Sequence, residues 1–375
     1  MIAFAAHHAV VLYDGNSQRV VGTLLGHADR VNCVRWLDNF TLISGAADGS
    51  LCLYRQQRKD CGTPAVSSWT VVARCPPAVP AAPITFIASS NWTHSLLEPE
   101  PSTDTNVHVL IITSGDGNIS VWTVACAPEL GSTSGPVELQ RVDRLTVNNS
   151  SLPTCAAMMC GPSPRVTECK PYLLVAIGCV DGNVLLYTCH PPFSLKLACR
   201  LSGHTNWVRG VAFTSTRSRV SSDVSLLLAT ASQDRTVRLW RLVNRSSEKT
   251  TREVENRSLT RFAPKPHFSV NDVIQFEAQV EALLLGHEDW VHSVAWQPGK
   301  HESEDGDNLL ETPTLLTTSM DRTMMLWVRD EATGTSAFFF FLQVLYLFLN
   351  YKTKHRSKRN SLVCTLVSFV KSGAI

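Results

Sequence analysis

The chain has 375 residues, 44% of them hydrophobic and 18% charged, which is enough to bury a substantial core in one large domain or two. Its formal charge of +2 is unevenly spread, because residues 352–375 carry six Lys/Arg and no acid, leaving 28 basic against 32 acidic residues before them. A mildly acidic body lacks the concentrated basic face that direct nucleic-acid binding requires. The twelve cysteines include no C-x-x-C pair, so zinc-ligand spacing is absent, and most read as buried reduced thiols of a cytosolic or nuclear protein. The N-terminal Met1-Ile2-Ala3-Phe4 has no basic region before its apolar run, and no signal peptide is expected.

In chain order, residues 2–6, 9–13 and 19–25 read as three strands of a four-stranded unit that lacks its first strand. Four further units close near residues 73, 145, 201 and 285, and a sixth supplies strands around 290–296, 314–319 and 323–328 without a convincing fourth. The unit is repeated through an Asp followed six residues later by an aromatic: Asp48 and Tyr54, Asp116 and Trp122, Asp181 and Tyr187, Asp234 and Trp240, Asp321 and Trp327, with His7 and Tyr13 as a degenerate sixth pair. Each Asp marks a tight turn and each interval an apolar strand. Gly-His pairs at Gly26-His27, Gly203-His204 and Gly286-His287 precede three of the units, whereas Pro76–Pro80 stands where another would fall.

Polarity rises and periodicity is lost over residues 98–106, 129–136 and 244–272, which read as surface loops. The longest of these is either functional or disordered. The acidic run 301–307 departs from calcium-loop spacing and reads as a solvated loop. After Gly334 the chain changes character. The apolar stretch 338–349 is well short of the roughly 20 residues that cross a membrane, so residues 335–375 read as a tail foreign to the repeats or, in the minority reading, as a short interfacial segment.

Gly-His, two strands, an Asp turn and a strand carrying Trp together resemble a blade of the WD-repeat family. The fold this implies is an all-β WD-repeat β-propeller over residues 1–334, about six blades visible and incomplete relative to a seven-bladed ring. In that family a buried relay runs from the strand Trp through a Ser/Thr hydroxyl and the Gly-His imidazole to the turn Asp. The matching residues are His204, Ser232 or Thr230, Asp234 and Trp240, and then His287, Ser319 or Thr317, Asp321 and Trp327, with His27, Ser44 and Asp48 as a weaker set beside Tyr54. The same residue types make hydrolase triads, but no nucleophile elbow surrounds Ser232 or Ser319. Repetition of the set is what a structural brace predicts.

Longer stretches narrow the resemblance, notably Gly26–Cys33, Gly203–Val211, Leu285–Pro298 and Ser319–Trp327, which are similar to the Elongator complex protein 2 family. That resemblance implies two seven-bladed propellers, of which this chain would hold most of the first. It also implies a scaffold subunit, cytoplasmic and nuclear, of the assembly that modifies wobble uridines in tRNA. The expected partners are the other scaffold and catalytic Elongator subunits, with tRNA met only through the complex, and with no catalytic residue, cofactor, metal, small-molecule substrate or membrane. A different intracellular WD-repeat adaptor is the alternative. Residues just after Gly-His and just before the turn Asp are expected on a partner-binding face, namely Trp207, Arg209, Gln233, Trp290, His292 and Met320. Trp, Arg and Met are enriched at interface anchors, while packing of both Trp rings between blades is the competing reading.

Overall fold

The Asp turns set the fold's local geometry. At Asp48, Asp116, Asp181, Asp234 and Asp321 a carboxylate oxygen accepts the backbone N–H two residues on, at 2.8–3.1 Å. The residue in between is left-handed in all five: Gly49, Gly117, Gly182, Arg235 and Arg322 have φ of 69–83°. Gly adopts this conformation freely, whereas Arg235 and Arg322 hold it at a steric cost.

The computed structural model describes residues 1–57, 68–76, 81–92, 106–126, 137–147, 149–161, 172–217, 224–245, 266–270, 274–297, 313–329 and 338–341. The fold is an all-β, six-bladed β-propeller. The first sheet is β1 (Ile2–Ala6), β2 (Ala9–Asp14) and β3 (Arg19–Leu25). The second is β4 (Val31–Trp36), β5 (Thr41–Ala46), β6 (Leu51–Gln57) and β7 (Ser68–Cys75). In the third, β8 (Ile84–Trp92), β9 (Asn106–Ser114), β10 (Asn118–Cys126) and β11 (Val137–Thr146) follow the same order. The fourth contains β12 (Pro153–Cys160), β13 (Leu173–Cys179), β14 (Val184–His190) and β15 (Ser194–Leu201).

The last two sheets differ from the sequence reading. The fifth holds β16 (Val208–Arg217), β17 (Val224–Ser232) and β18 (Thr236–Asn244), and then β19 (His267–Ser269) pairs on the outer side of β20 (Gln275–Leu285). Residues 267–269, read as loop, are therefore a fifth strand. The sixth sheet runs β21 (Val291–Trp296), β22 (Leu315–Ser319), β23 (Met324–Arg329) and β24 (Phe338–Phe341). Its fourth strand exists after all, drawn from the segment read as tail and paired antiparallel from Leu326–Phe341 to Arg329–Phe338. The loops 98–105, 129–136 and 246–265, the acidic run 301–307, Pro77–Pro80 and the rest of 335–375 lie outside the described residues.

Two bulges recur. Opposite four of the strand aromatics the outer strand carries one extra residue: Val21 beyond Tyr13, Val72 beyond Tyr54, Val142 beyond Trp122 and Glu281 beyond Trp240. The first strand of a blade is bulged at Asn32, Thr85, Arg209 and His292. An inserted residue bends its strand and re-aims its side chain.

The chain divides into two compact units, residues 1–175 with 189–196 and residues 176–188 with 197–375; the fourth sheet contributes strands to both. In the first unit one cluster packs Ile43, Leu53, Ile87, Leu110, Ile112 and Trp122, and another packs Val10, Leu12, Leu24, Leu42 and Tyr54. In the second unit Leu227, Leu239, Val291, Val294, Trp296 and Trp327 share one core. Gly210 belongs to that contact: a Cβ there would meet the Ser293 backbone at 3.1 Å, so the first strands of the fifth and sixth blades approach at backbone distance.

Candidate partner-binding face and the histidine relays

In the fifth and sixth blades both ring nitrogens of the Gly-His imidazole are paired. His204 Nδ1 lies 2.8 Å from Asp234 Oδ2 and Nε2 lies 2.9 Å from Thr230 Oγ1, which accepts the Trp240 indole N–H at 3.1 Å. The sixth blade repeats this: His287 Nδ1 to Asp321 Oδ2 at 3.0 Å, Nε2 to Thr317 Oγ1 at 2.8 Å, and the Trp327 indole N–H to Thr317 at 2.9 Å. One proton assignment satisfies every group. Trp donates to Thr, Thr to the imidazole Nε2, and Nδ1–H to the carboxylate. Asp234 also accepts from Thr205 N–H, Thr236 N–H and the Thr236 hydroxyl. Burial opposes ionisation of Asp234, but the His204 imidazole, the Thr236 hydroxyl and the Thr205 N–H hold its carboxyl well below the usual range. Asp321 is lowered in the same way against its burial, by Thr323, His287 and the Glu288 N–H, while burial lowers His287 itself.

The serines chosen from sequence, Ser232 and Ser319, are not the relay hydroxyls. Ser232 Oγ donates to Asn206 O at 2.9 Å and accepts the Asp234 N–H at 3.1 Å; Ser319 does the same with Asp289 O at 3.0 Å and Asp321 N–H at 3.1 Å. They staple the loop before the first strand to the Asp turn. In the second blade Ser44 is the relay hydroxyl, 2.6 Å from His27 Nε2, but Nδ1 meets Ser50 Oγ at 2.7 Å and not Asp48. Asp48 instead accepts the Ser50 N–H at 2.8 Å, one step removed from the imidazole. The third blade, without Gly-His, turns its Trp122 indole N–H to Ser120 Oγ at 2.8 Å.

The same staples build the face. Gln233 N–H donates to Trp207 O and Met320 N–H to Trp290 O, each at 2.9 Å, so the residues after Gly-His and before the turn Asp are held side by side in both blades. Trp207 is 42% exposed and Trp290 43%, so the expectation of packing between blades does not describe them. Arg209, on its bulge, stands over the Trp207 ring at 4.9 Å and donates through Nε and Nη2 to the Gln233 amide oxygen at 2.8 Å each. Gln233 is only 7% exposed; it supports Arg209 and is not part of an open surface. His292, the bulge residue of the sixth blade, and Met320 are half-buried. Burial lowers the His292 pKa, with Arg209 adding to the effect and Asp289 opposing it. Between the two loops lies a recess of about 440 Å³ lined by Thr205, Asn206, Gln233, Asp234, Arg235, Glu288, Asp289 and Trp290, a volume within the range of ligand pockets. Sequence reading missed Glu288, Asp289 and Arg235, though all three adjoin the motifs that located the face.

The WD domain, G-beta repeat pattern matches residues 18–55, 195–241 and 279–328, the spans that carry the three Gly-His relays. The chain thus carries WD repeats in these three spans. It is similar to Elongator complex protein 2 of Arabidopsis thaliana, 27% identical over 350 residues, covering 89% of this chain and 38% of the relative. The likeness to the Homo sapiens protein of that name is 26% over 345 residues, and to that of Saccharomyces cerevisiae 27% over 345, each covering 89% of this chain and 36% of the relative. The WD-repeat chain thus spans a little over a third of the length of these relatives.

Proposed function

We propose that this WD-repeat protein is a non-catalytic scaffold subunit of an Elongator complex, acting in the cytoplasm and nucleus, and that it supports tRNA wobble-uridine modification by binding the complex's other scaffold and catalytic subunits. Its partners bind through the loop face of the fifth and sixth blades, and tRNA is met only through the assembly. The observation that carries this reading is the pair of equivalent tryptophans, Trp207 and Trp290, each more than two-fifths exposed on backbone that the staples fix. A large exposed aromatic on a rigid frame loses little entropy on docking and anchors interfaces for that reason. The residues that would otherwise suggest hydrolysis are used up inside the blades, with the imidazoles of His204 and His287 buried. The test is affinity capture of the tagged chain from cells. Wild type is expected to recover Elongator subunits and the Trp207→Ala/Trp290→Ala variant, at unchanged melting temperature, to lose them. Recovery of other proteins by a folded wild-type chain, with no Elongator subunit, would make it an unrelated WD-repeat adaptor.

A further inference from the structure

The fifth and sixth blades repeat the same loop, with one difference. In the fifth, Trp207 carries a cation on its face, the guanidinium of Arg209 at 4.9 Å. In the sixth, the bulge position that supplies Arg209 holds His292, and among the described residues no cation stacks on Trp290. The surroundings of Trp290 are acidic. Asp234, Glu288 and Asp289 line the recess beside it against the single base Arg235. Asp234 is consumed by His204, Thr205 and Thr236, and among the described residues Asp289 accepts only its neighbour's N–H, through one oxygen. The Glu288 carboxylate accepts no hydrogen bond among the described residues.

We infer that this recess receives an arginine side chain from an extended segment of a partner protein. The guanidinium stacks on Trp290 as Arg209 does on Trp207, and Glu288 and Asp289 neutralise it. A planar cation suits both demands, since it stacks on an aromatic face and engages a carboxylate through two N–H groups. The inference rests on the docking face proposed above and names its ligand chemistry.

The test uses the full chain with 15N-labelled tryptophan indoles, the Trp290 signal being assigned through Trp290→Phe. The probes are acetylated, amidated Gly-Gly-Arg-Gly-Gly and the same peptide with citrulline, which keeps the shape and removes the charge. The arginine peptide is expected to move the Trp290 signal and the citrulline peptide not to. Glu288→Gln, whose carboxylate braces nothing in the fold, is expected to weaken the response about fivefold, the reach of a partly exposed ion pair. Equal responses to the two peptides, no response to either, or an unchanged affinity in Glu288→Gln would each overturn the arginine site. Capture of Elongator subunits separates the two ideas. If Trp207→Ala/Trp290→Ala loses capture while the peptides do not discriminate, the face docks partners and the arginine site is wrong. If the arginine peptide alone binds and the tryptophan variant still captures the complex, the site stands and the docking face is elsewhere.

Discussion

Replacing Thr230 with Val keeps the shape of the side chain and deletes a single hydroxyl, which makes it the cleanest perturbation of the relay. That hydroxyl accepts the Trp240 indole N–H at 3.1 Å and faces His204 Nε2 at 2.9 Å. All three side chains are buried, so water cannot replace it. Two buried polar groups lose their partner at about 1–3 kcal/mol each, giving a destabilisation of about 2–6 kcal/mol. For a chain of this size that corresponds to a fall in melting temperature of about 3–8 °C. The assay is thermal unfolding of the full chain by circular dichroism, with Thr23→Val on an exposed position of β3 as the matched control. The control is expected to melt within about 1 °C of wild type. A Thr230→Val protein that did the same would refute the claim that the relay is a brace, and Ser232→Ala would then have to be examined as the true link.

Trp327→Ala removes a buried aromatic from the second unit's core and is expected to cost about 3–5 kcal/mol in chemical denaturation; a loss under about 1 kcal/mol would contradict its place there. Gly182→Ala puts a Cβ 2.5 Å from the His204 carbonyl oxygen at φ +79°, so soluble yield and melting temperature should both drop, whereas Gly15→Ala, with nothing within 4 Å, should be silent. For pH, the Asp321 carboxyl is lowered in the fold, so its contribution is complete above its unfolded value of about 4 and is lost as pH falls through the folded one. His287, lowered by burial, acts in the same sense: stability present above about 6.5 is lost as pH drops through its folded pKa. Urea midpoints should therefore decline from pH 7 to pH 3, with Asp321→Asn flattening the acid end; a midpoint rising toward acid would show the sign to be wrong.

What the sequence made legible is what local chemistry dictates. An Asp that caps the N–H two residues on, a left-handed residue after it and an aromatic six residues along are contacts of short range, and every Asp turn found by spacing is present. The choice between Thr230 and Ser232 was not legible. Both lie on β17 two residues apart and so share a face. Only the register, which sets Thr230 opposite Arg238 and Ser232 opposite Val208 at the strand's end, decides which hydroxyl meets the indole two positions further along β18. Asp48 was misassigned for a related reason: Ser50 stands where the other blades have Thr236 and Thr323, and its hydroxyl takes the imidazole first. The bulges at Arg209 and His292 depend on cross-strand partners and leave no mark in either strand alone. β24 was missed because a run of four phenylalanines has no period-two alternation to announce a strand.

The repeat also explains why the face differs between two blades built alike. Inside each blade the relay uses every lone pair of the turn Asp and both ring nitrogens of the imidazole, so a substitution there leaves some buried group unpaired and is resisted. The bulge residue carries no such obligation, because it is unpaired in its strand and aimed toward the loops. Arg209 satisfies Trp207 and Gln233 from within the chain, and His292 leaves Trp290 unsatisfied beside two carboxylates. A fixed frame and one unpaired bulge position are together sufficient to give one blade a tryptophan capped by its own cation and its neighbour an uncapped tryptophan beside two carboxylates.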